Sequence, residues 1–169
     1  MKKKWRFILI PIISLAFVIG CGGEKESAKT TPEPAAAPDF ALEDHQGNIV
    51  RLADFRGQVT IINFWATWCG PCREEIPGFI RLYNRYKDDG LAIIGISLDR
   101  PGWEVVRPFM EKYNINYPIV LGNQKVVLDY GGIQAIPTTF ILNRQGHIVD
   151  RIIGYRPEAF FEKRIKELL

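Results

Sequence analysis

Two cysteines three residues apart, in Trp68-Cys69-Gly70-Pro71-Cys72, stand where one hydrophobic period gives way to another. Before them, Val59 to Trp65 is a β-branched and aromatic run that reads as a strand buried on both faces. After them, Ile76, Phe79, Ile80, Tyr83 and Tyr86 recur at the i, i+3, i+4, i+7 spacing of an amphipathic helix, which Asp88-Asp89-Gly90 closes. A cysteine at a helix start meets unpaired backbone N–H groups and the positive end of the helix dipole, both of which favour thiolate over thiol. Cys69 is therefore predicted to be an accessible nucleophile. Cys72 falls on nearly the same helix face, where its sulfur reaches Cys69 to close a small ring, and is predicted to be the resolving thiol.

The alternation continues along the chain. Leu91 to Leu98 reads as a second buried strand, and Val105, Val106, Phe109, Met110 and Tyr113 form another helical stripe, interrupted by Pro108. Tyr117 to Leu121 is a further strand candidate and Lys125 to Tyr130 a short helix. Thr138 to Leu142 and Ile148 to Ile153 flank the turn Asn143-Arg144-Gln145-Gly146 as a hairpin. A last helix, with Phe161, Ile165 and Leu168 on one face, follows Pro157, which fits a first helical turn because it has no N–H to lose. Phe40 to Leu52, with Gln46-Gly47-Asn48 in its middle, suggests a short hairpin before the main sheet. The fold class is α/β: a central mixed sheet covered by helices, with an N-terminal β-hairpin.

The net charge of +3 is a property of the N-terminus, since four of the 22 basic residues are Lys2, Lys3, Lys4 and Arg6, against 19 acidic residues overall. Without them the chain is near neutral and carries no basic stripe, which argues against nucleic acid as a partner. The apolar run Phe7 to Ile19 is shorter than the ~20 residues that cross a bilayer core and reads as the middle of a signal peptide. Val18-Ile19-Gly20-Cys21 resembles the lipobox of bacterial lipoproteins, which implies cleavage after Gly20 and a lipid on Cys21. Lipidation also accounts for the odd third cysteine of an exported chain. Gly22 to Pro38 has no large apolar residue and reads as a flexible tether. The expected organisation is a signal peptide over 1–20, a lipidated tether over 21–38 and one folded domain over 39–169.

Two bland readings of the dithiol compete with the redox one. A permanent bridge between Cys69 and Cys72 closes a loop too short to constrain the unfolded chain much. A zinc site needs two more ligands, and apart from Cys21 the soft candidates are His45 and His147, which read as solvated turn residues. No metal or cofactor is expected.

Asn63-Phe64-Trp65-Ala66-Thr67-Trp68-Cys69-Gly70-Pro71-Cys72 resembles the active-site stretch of thioredoxins, Pro77 matches the proline of their active-site helix, and Ile136-Pro137-Thr138 matches their cis-proline loop. The resemblance spans Asp39 to Leu169 and implies a thioredoxin fold. It also implies a cis Pro137 facing the dithiol, with the backbone of Ile136 left to pair with an extended substrate. Asn63 stands where thioredoxins carry a buried Asp, and an amide cannot take and return a proton. Glu75, one turn beyond Cys72 on an apolar face, is the expected replacement, with a pKa raised by burial so that it can accept the proton of Cys72. Arg73 and Glu74 read as solvated. Trp65 reads as core and Trp68 as part of a protein-binding rim.

Leu52-Ala53-Asp54-Phe55-Arg56-Gly57, Glu75-Ile76-Pro77 and the extra stretch between Asp99 and Ile136, a central insertion, together resemble the TlpA and ResA group of membrane-anchored thioredoxin-like proteins. The Gly-Pro between the cysteines departs from that group and matches plain thioredoxin. The group implies catalysis by Cys69, Cys72 and Glu75, substrate contact at Trp68, Ile136 and Pro137, and a monomer anchored by lipid on the extracytoplasmic face. It further implies exported disulfide proteins such as apocytochrome c as substrates, and a DsbD- or CcdA-type membrane protein as electron donor. Two other functions remain open from the residues. One is a thiol peroxidase, since peroxiredoxins share the hairpin and insertion, although they use a lone cysteine framed by Pro and Thr. The other is a copper- or haem-handling module that uses the thiols as soft ligands.

Overall fold

In the computed structural model, which describes residues 34–169, strand β3 (Val59–Trp65) is buried at every position. Its odd residues Val59, Ile61 and Trp65 enter one apolar layer, and its even residues Ile62 and Phe64 enter the other, as the two-residue period of a strand requires. Strand β4 (Leu91–Ser97), likewise buried throughout, runs parallel to β3 with Val59 opposite Leu91 and Trp65 opposite Ser97. Gly90, at φ 102°, makes the turn into β4 in a conformation that a side chain would oppose.

Five strands form the main sheet in the order β5-β4-β3-β6-β7, with β5 at Ile119–Leu121, β6 at Thr138–Leu142 and β7 at Ile148–Ile153. Pairing is parallel for β3, β4 and β5 and antiparallel for β3, β6 and β7. Helix α1 (Gly70–Tyr86) buries Ile76, Phe79 and Leu82 with Val59, Ile61 and Ile93, and α4 (Glu158–Leu168) adds Phe161 and Ile165 to that layer. The insertion between β4 and β6 carries α2 (Trp103–Tyr113), β5 and α3 (Gln124–Asp129). α3 covers the opposite face through Val126, beside Leu42 and Leu52 from the region of the N-terminal hairpin, β1 (Ala41–Glu43) and β2 (Ile49–Arg51).

Several boundaries differ from the sequence expectation. β5 starts at Ile119 rather than Tyr117, and the carbonyl of Pro118 still accepts a bond from Gly95 at 2.9 Å. Pro157 is the N-cap of α4, with ψ 154°, rather than a residue of its first turn. The folded chain reaches back beyond Asp39. The N–H of Ala37 donates to Gly146 at 3.0 Å, Ile148 donates to Ala35 at 2.9 Å, and Ala37 is buried. Residues 35–38 thus edge the sheet through main-chain bonds, for which Ala is as good as any residue. The signal peptide over 1–20, the lipid site Cys21 and the rest of the tether to residue 33 lie outside the described residues. No helix among the described residues is long and apolar enough to cross a membrane.

Candidate active site

Cys69 is the N-cap of α1, and its sulfur accepts the N–H of Cys72 at 3.2 Å. Sulfur here takes the place that the oxygen of Ser or Asp occupies in an ordinary cap, so the helix start directs a donor and its positive end at the Cys69 sulfur. Pro71 fits the first turn, where no partner awaits its missing N–H. Cys69 and Cys72 are joined as a disulfide, with Cα atoms 5.3 Å apart.

The expected exposure of Cys69 is corrected by the structure: the residue is 5% exposed and Cys72 1%. The loop before β6 covers it, since the Ile136 carbonyl lies 3.6 Å from the Cys69 sulfur and the Ile136–Pro137 bond is cis. Trp68 turns outward and is 70% exposed, whereas Trp65 is buried. A large, exposed amphipathic ring therefore stands next in sequence to a nearly buried cysteine.

Glu75 lies one turn beyond Cys72 and is 4% exposed. Its Oε1 accepts the main-chain N–H of Arg156 at 3.0 Å, and its Oε2 accepts the side-chain N–H of Asn63 at 3.3 Å. The second N–H of Asn63 goes to Thr139 Oγ1 at 2.9 Å, which is the residue opposite it in the β3–β6 register. Burial raises the Glu75 carboxyl to about 7, against the opposing pull of these two donors and of the Arg156 charge. Burial also pushes the Tyr117 hydroxyl upward, helped by the charge of Glu75.

A second buried carboxylate, absent from the sequence expectation, fixes the loop ahead of the dithiol. Asp99 follows β4, and its Oδ2 accepts from Thr67 N at 2.9 Å and from Ser97 Oγ at 2.9 Å. Its Oδ1 accepts from Thr67 Oγ1 at 2.7 Å. Thr67 belongs to the turn in which Cys69 N–H donates to Ala66 at 3.2 Å, so Asp99 holds the segment that presents Trp68 and Cys69. The available signal was a polar pair, Ser97-Leu98-Asp99, directly after an apolar strand. Thr139 and Arg156 also escaped the sequence reading, Arg156 because it contributes through its main chain.

His45 lies in the turn between β1 and β2, as expected, but is half-buried there, with its ring edge-on to Trp103 of α2 at 6.2 Å. His147 pairs through its main chain with Asn143 and Ala36. Arg73 and Glu74 are exposed, and Arg73 Nε donates to the Tyr113 hydroxyl at 3.2 Å.

A profile of the AhpC/TSA family matches residues 35–151. The thiol-disulfide oxidoreductase ResA of Bacillus subtilis (strain 168) is 33% identical over 164 residues, which cover 94% of this chain and 91% of that protein. ResA of Geobacillus thermodenitrificans is 34% identical over 173 residues, covering 99% of each. Among solved structures, a thiol:disulfide interchange protein of the thioredoxin family from Chlorobium tepidum superposes with a TM-score of 0.76 at 30% identity, covering 80% of this chain and 97% of that one. StoA from Bacillus subtilis gives 0.65 at 29% identity, covering 77% and 98%. A dithiol capping a helix, a cis-proline loop against it and an acid beneath it are thus found in a chain that belongs to the AhpC/TSA family, as one of its ResA-like, thioredoxin-fold thiol-disulfide oxidoreductases.

Proposed function

We propose that this enzyme works as a reductase of disulfides in exported proteins, held by a lipid on Cys21 at the extracytoplasmic face of a bacterial membrane. The observation that carries the reading is the pairing of two unlike groups: a sulfur that caps a helix and a buried carboxyl raised to about 7 one turn below. The Cys69 thiolate attacks one sulfur of a substrate disulfide, forming a mixed disulfide and expelling the other sulfur as a thiolate that takes a proton. Glu75, ionised at that moment, accepts the proton of Cys72. Cys72 then attacks Cys69, which releases the second substrate sulfur as a thiol and leaves the Cys69–Cys72 disulfide. Two electrons pass to the substrate.

Substrate backbone lies along Ile136 and Pro137, with Trp68 packed against its side chains. Turnover outside the cytoplasm needs a membrane electron donor of the DsbD or CcdA type to reduce the pair again. Apocytochrome c, whose haem-attachment cysteines must be reduced before haem is joined, is the substrate that the ResA-like character favours.

Replacing Cys72 by Ser tests the reading, because it removes the group that resolves the mixed disulfide. The variant is expected to accumulate covalent adducts on Cys69, separable after acid trapping and identifiable by mass spectrometry. Adducts that form equally on Cys72→Ser and on Cys69→Ser/Cys72→Ser, or peroxide consumption that outpaces disulfide reduction, would defeat it.

A further inference from the structure

Hydrogen bonds gather several chain segments around the dithiol. Residues 66–74 carry it, and Asp99 ties the end of β4, with Arg100 next to it, to Thr67. Gly154 donates to Pro137 at 2.8 Å and Arg156 to Glu75 at 3.0 Å, which bring in the β7–α4 connection. The charged residues of these segments and of Glu75 are Arg73, Glu74, Glu75, Asp99, Arg100 and Arg156. Glu75 and Asp99 are buried, with their carboxylates engaged by the donors described above.

The exposed charges at the rim are therefore mostly positive. Arg73 is four residues after Cys69 and shares its helix face, whereas Glu74, at ~100° per residue, is turned away from it. Arg100 and Arg156 are exposed, and Arg156 Nη1 donates to the Tyr155 carbonyl at 2.8 Å. Of the other arginines, Arg81, Arg85 and Arg164 are neutralised by Glu158, Glu162 and Asp150, and Arg56, Arg107 and Arg144 are held by main-chain carbonyls. Among the described residues, Arg73, Arg100 and Arg156 have no such ion pair. Two exposed aromatic residues, Trp68 at 70% and Tyr155 at 41%, belong to the same segments.

We propose that this rim selects disulfides flanked by acidic residues: substrate carboxylates meet Arg73, Arg100 and Arg156 while an apolar side chain beside the disulfide packs on Trp68 or Tyr155. The inference rests on the reductase reading and names the substrate class for that site. Exposed pairs of this kind contribute little one by one. Together they attract an acidic segment over about a Debye length, ~8 Å at physiological salt, raise its encounter rate and repel a basic competitor. Anionic lipid headgroups would meet the same cations. A polypeptide is favoured because the aromatic residues and the main chain of Ile136 lie among them.

Three disulfide-bridged peptides of equal length, with Asp/Glu, Asn/Gln or Lys beside the cysteines, supply the test. Their kcat/KM is measured with the full chain and dithiothreitol, which regenerates the Cys69–Cys72 dithiol, at about 20 and about 300 mM NaCl. The acidic peptide is expected to exceed the neutral one by about tenfold at low salt, and the advantage to shrink several-fold at high salt. In Arg100→Gln/Arg156→Gln the acidic-to-neutral ratio should fall to within about twofold of unity. Equal rates for the three peptides, or a ratio that the double variant leaves unchanged, would overturn the proposal while leaving the reductase reading intact. Failure to reduce any peptide would count against that reading itself. If the variant loses binding to phosphatidylglycerol vesicles but keeps its peptide preference, the rim is a membrane contact and the proposal fails.

Discussion

The side-chain amide of Asn63 donates to Oε2 of Glu75 at 3.3 Å, tying the strand that leads into the dithiol to the helix that leads out of it. Strand period places Asn63 on the same face as Ile61 and Trp65, the face that α1 covers, and helix period brings Glu75 beneath it. An amide anchored by Thr139 can only donate toward the carboxyl, so it holds the acid in place without sharing its proton.

That buried acid makes stability depend on pH. The folded-state pKa of Glu75 is raised from 4.5 to about 7, so between those values the folded chain binds a proton that the unfolded chain has released. Stability therefore falls as pH rises from about 4.5 to about 7 and levels off above, by about 3 kcal/mol at 1.36 kcal/mol per unit. Glu75→Gln should remove this slope. Urea unfolding of the oxidised protein at a series of pH values checks it, and an unchanged slope in the variant would place the titration elsewhere.

The same variant bears on rate. On the proposed mechanism Glu75→Gln removes the acceptor of the Cys72 proton, and is expected to slow resolution of the mixed disulfide by about 10²-fold or more near neutral pH. Attack by Cys69 should change much less. Single-turnover quench separates the two phases, and equal slowing of both would show that Glu75 acts on the fold of the site rather than on the proton.

Introducing a second acid next to the first offers an independent probe. Asn63→Asp puts a carboxyl within hydrogen-bond reach of Glu75, where two negative charges cannot both be held easily, and the pair should share a proton. The alkaline shift of the pH–rate profile expected for Asn63→Asp should disappear in Asn63→Asp/Glu75→Gln, which has one acid again. A shift that persists in the double variant would rule out the sharing.

Much of this arrangement is legible from the residues. The bounds of β3, β6 and β7 coincide with the expected runs because each is β-branched or aromatic and ends at turn residues. Glu75 is recognisable as buried because it interrupts an apolar helix face. What escapes detection is bonding through the main chain, as at Arg156 and residues 35–38, where side-chain identity carries no signal. Asp99 escapes for another reason: its partners Thr67 and Ser97 come from different segments, and only the parallel pairing of β3 with β4 brings them together. The burial of Cys69 depends on the Ile136 loop, 67 residues away in sequence.

Asp99→Ala should therefore damage more than a loop contact. It leaves the Thr67 N–H and the hydroxyls of Thr67 and Ser97 without their acceptor, a loss of about 2–3 kcal/mol for a buried charged partner. Trp68, already exposed, should gain mobility in the folded variant, read as a lower anisotropy of its emission, and Cys69 should alkylate at an altered rate after reduction. A variant with native stability and native Trp68 anisotropy would show that the loop holds without the carboxylate.

Gly95 is the last constraint on the site, and a steric one. It lies in β4 opposite Asn63 on one side and Ile119 on the other, in a strand whose other residues, Ser97 apart, are apolar. A Cβ there would stand 2.4 Å from Ile119 Cδ1 and 3.0 Å from Trp65 Nε1. Trp65 cannot retreat freely, because its ring packs on Phe109 with centroids 5.1 Å apart. Gly95→Ala is expected to destabilise by about 1–3 kcal/mol through overpacking. Ile119→Val, which removes Cδ1, should cost about 0.5–1.5 kcal/mol alone yet recover part of the loss when combined with Gly95→Ala. Denaturant unfolding of the two single variants and the double closes the cycle, and simple additivity would mean that the clash with Ile119 is not what excludes a side chain at position 95.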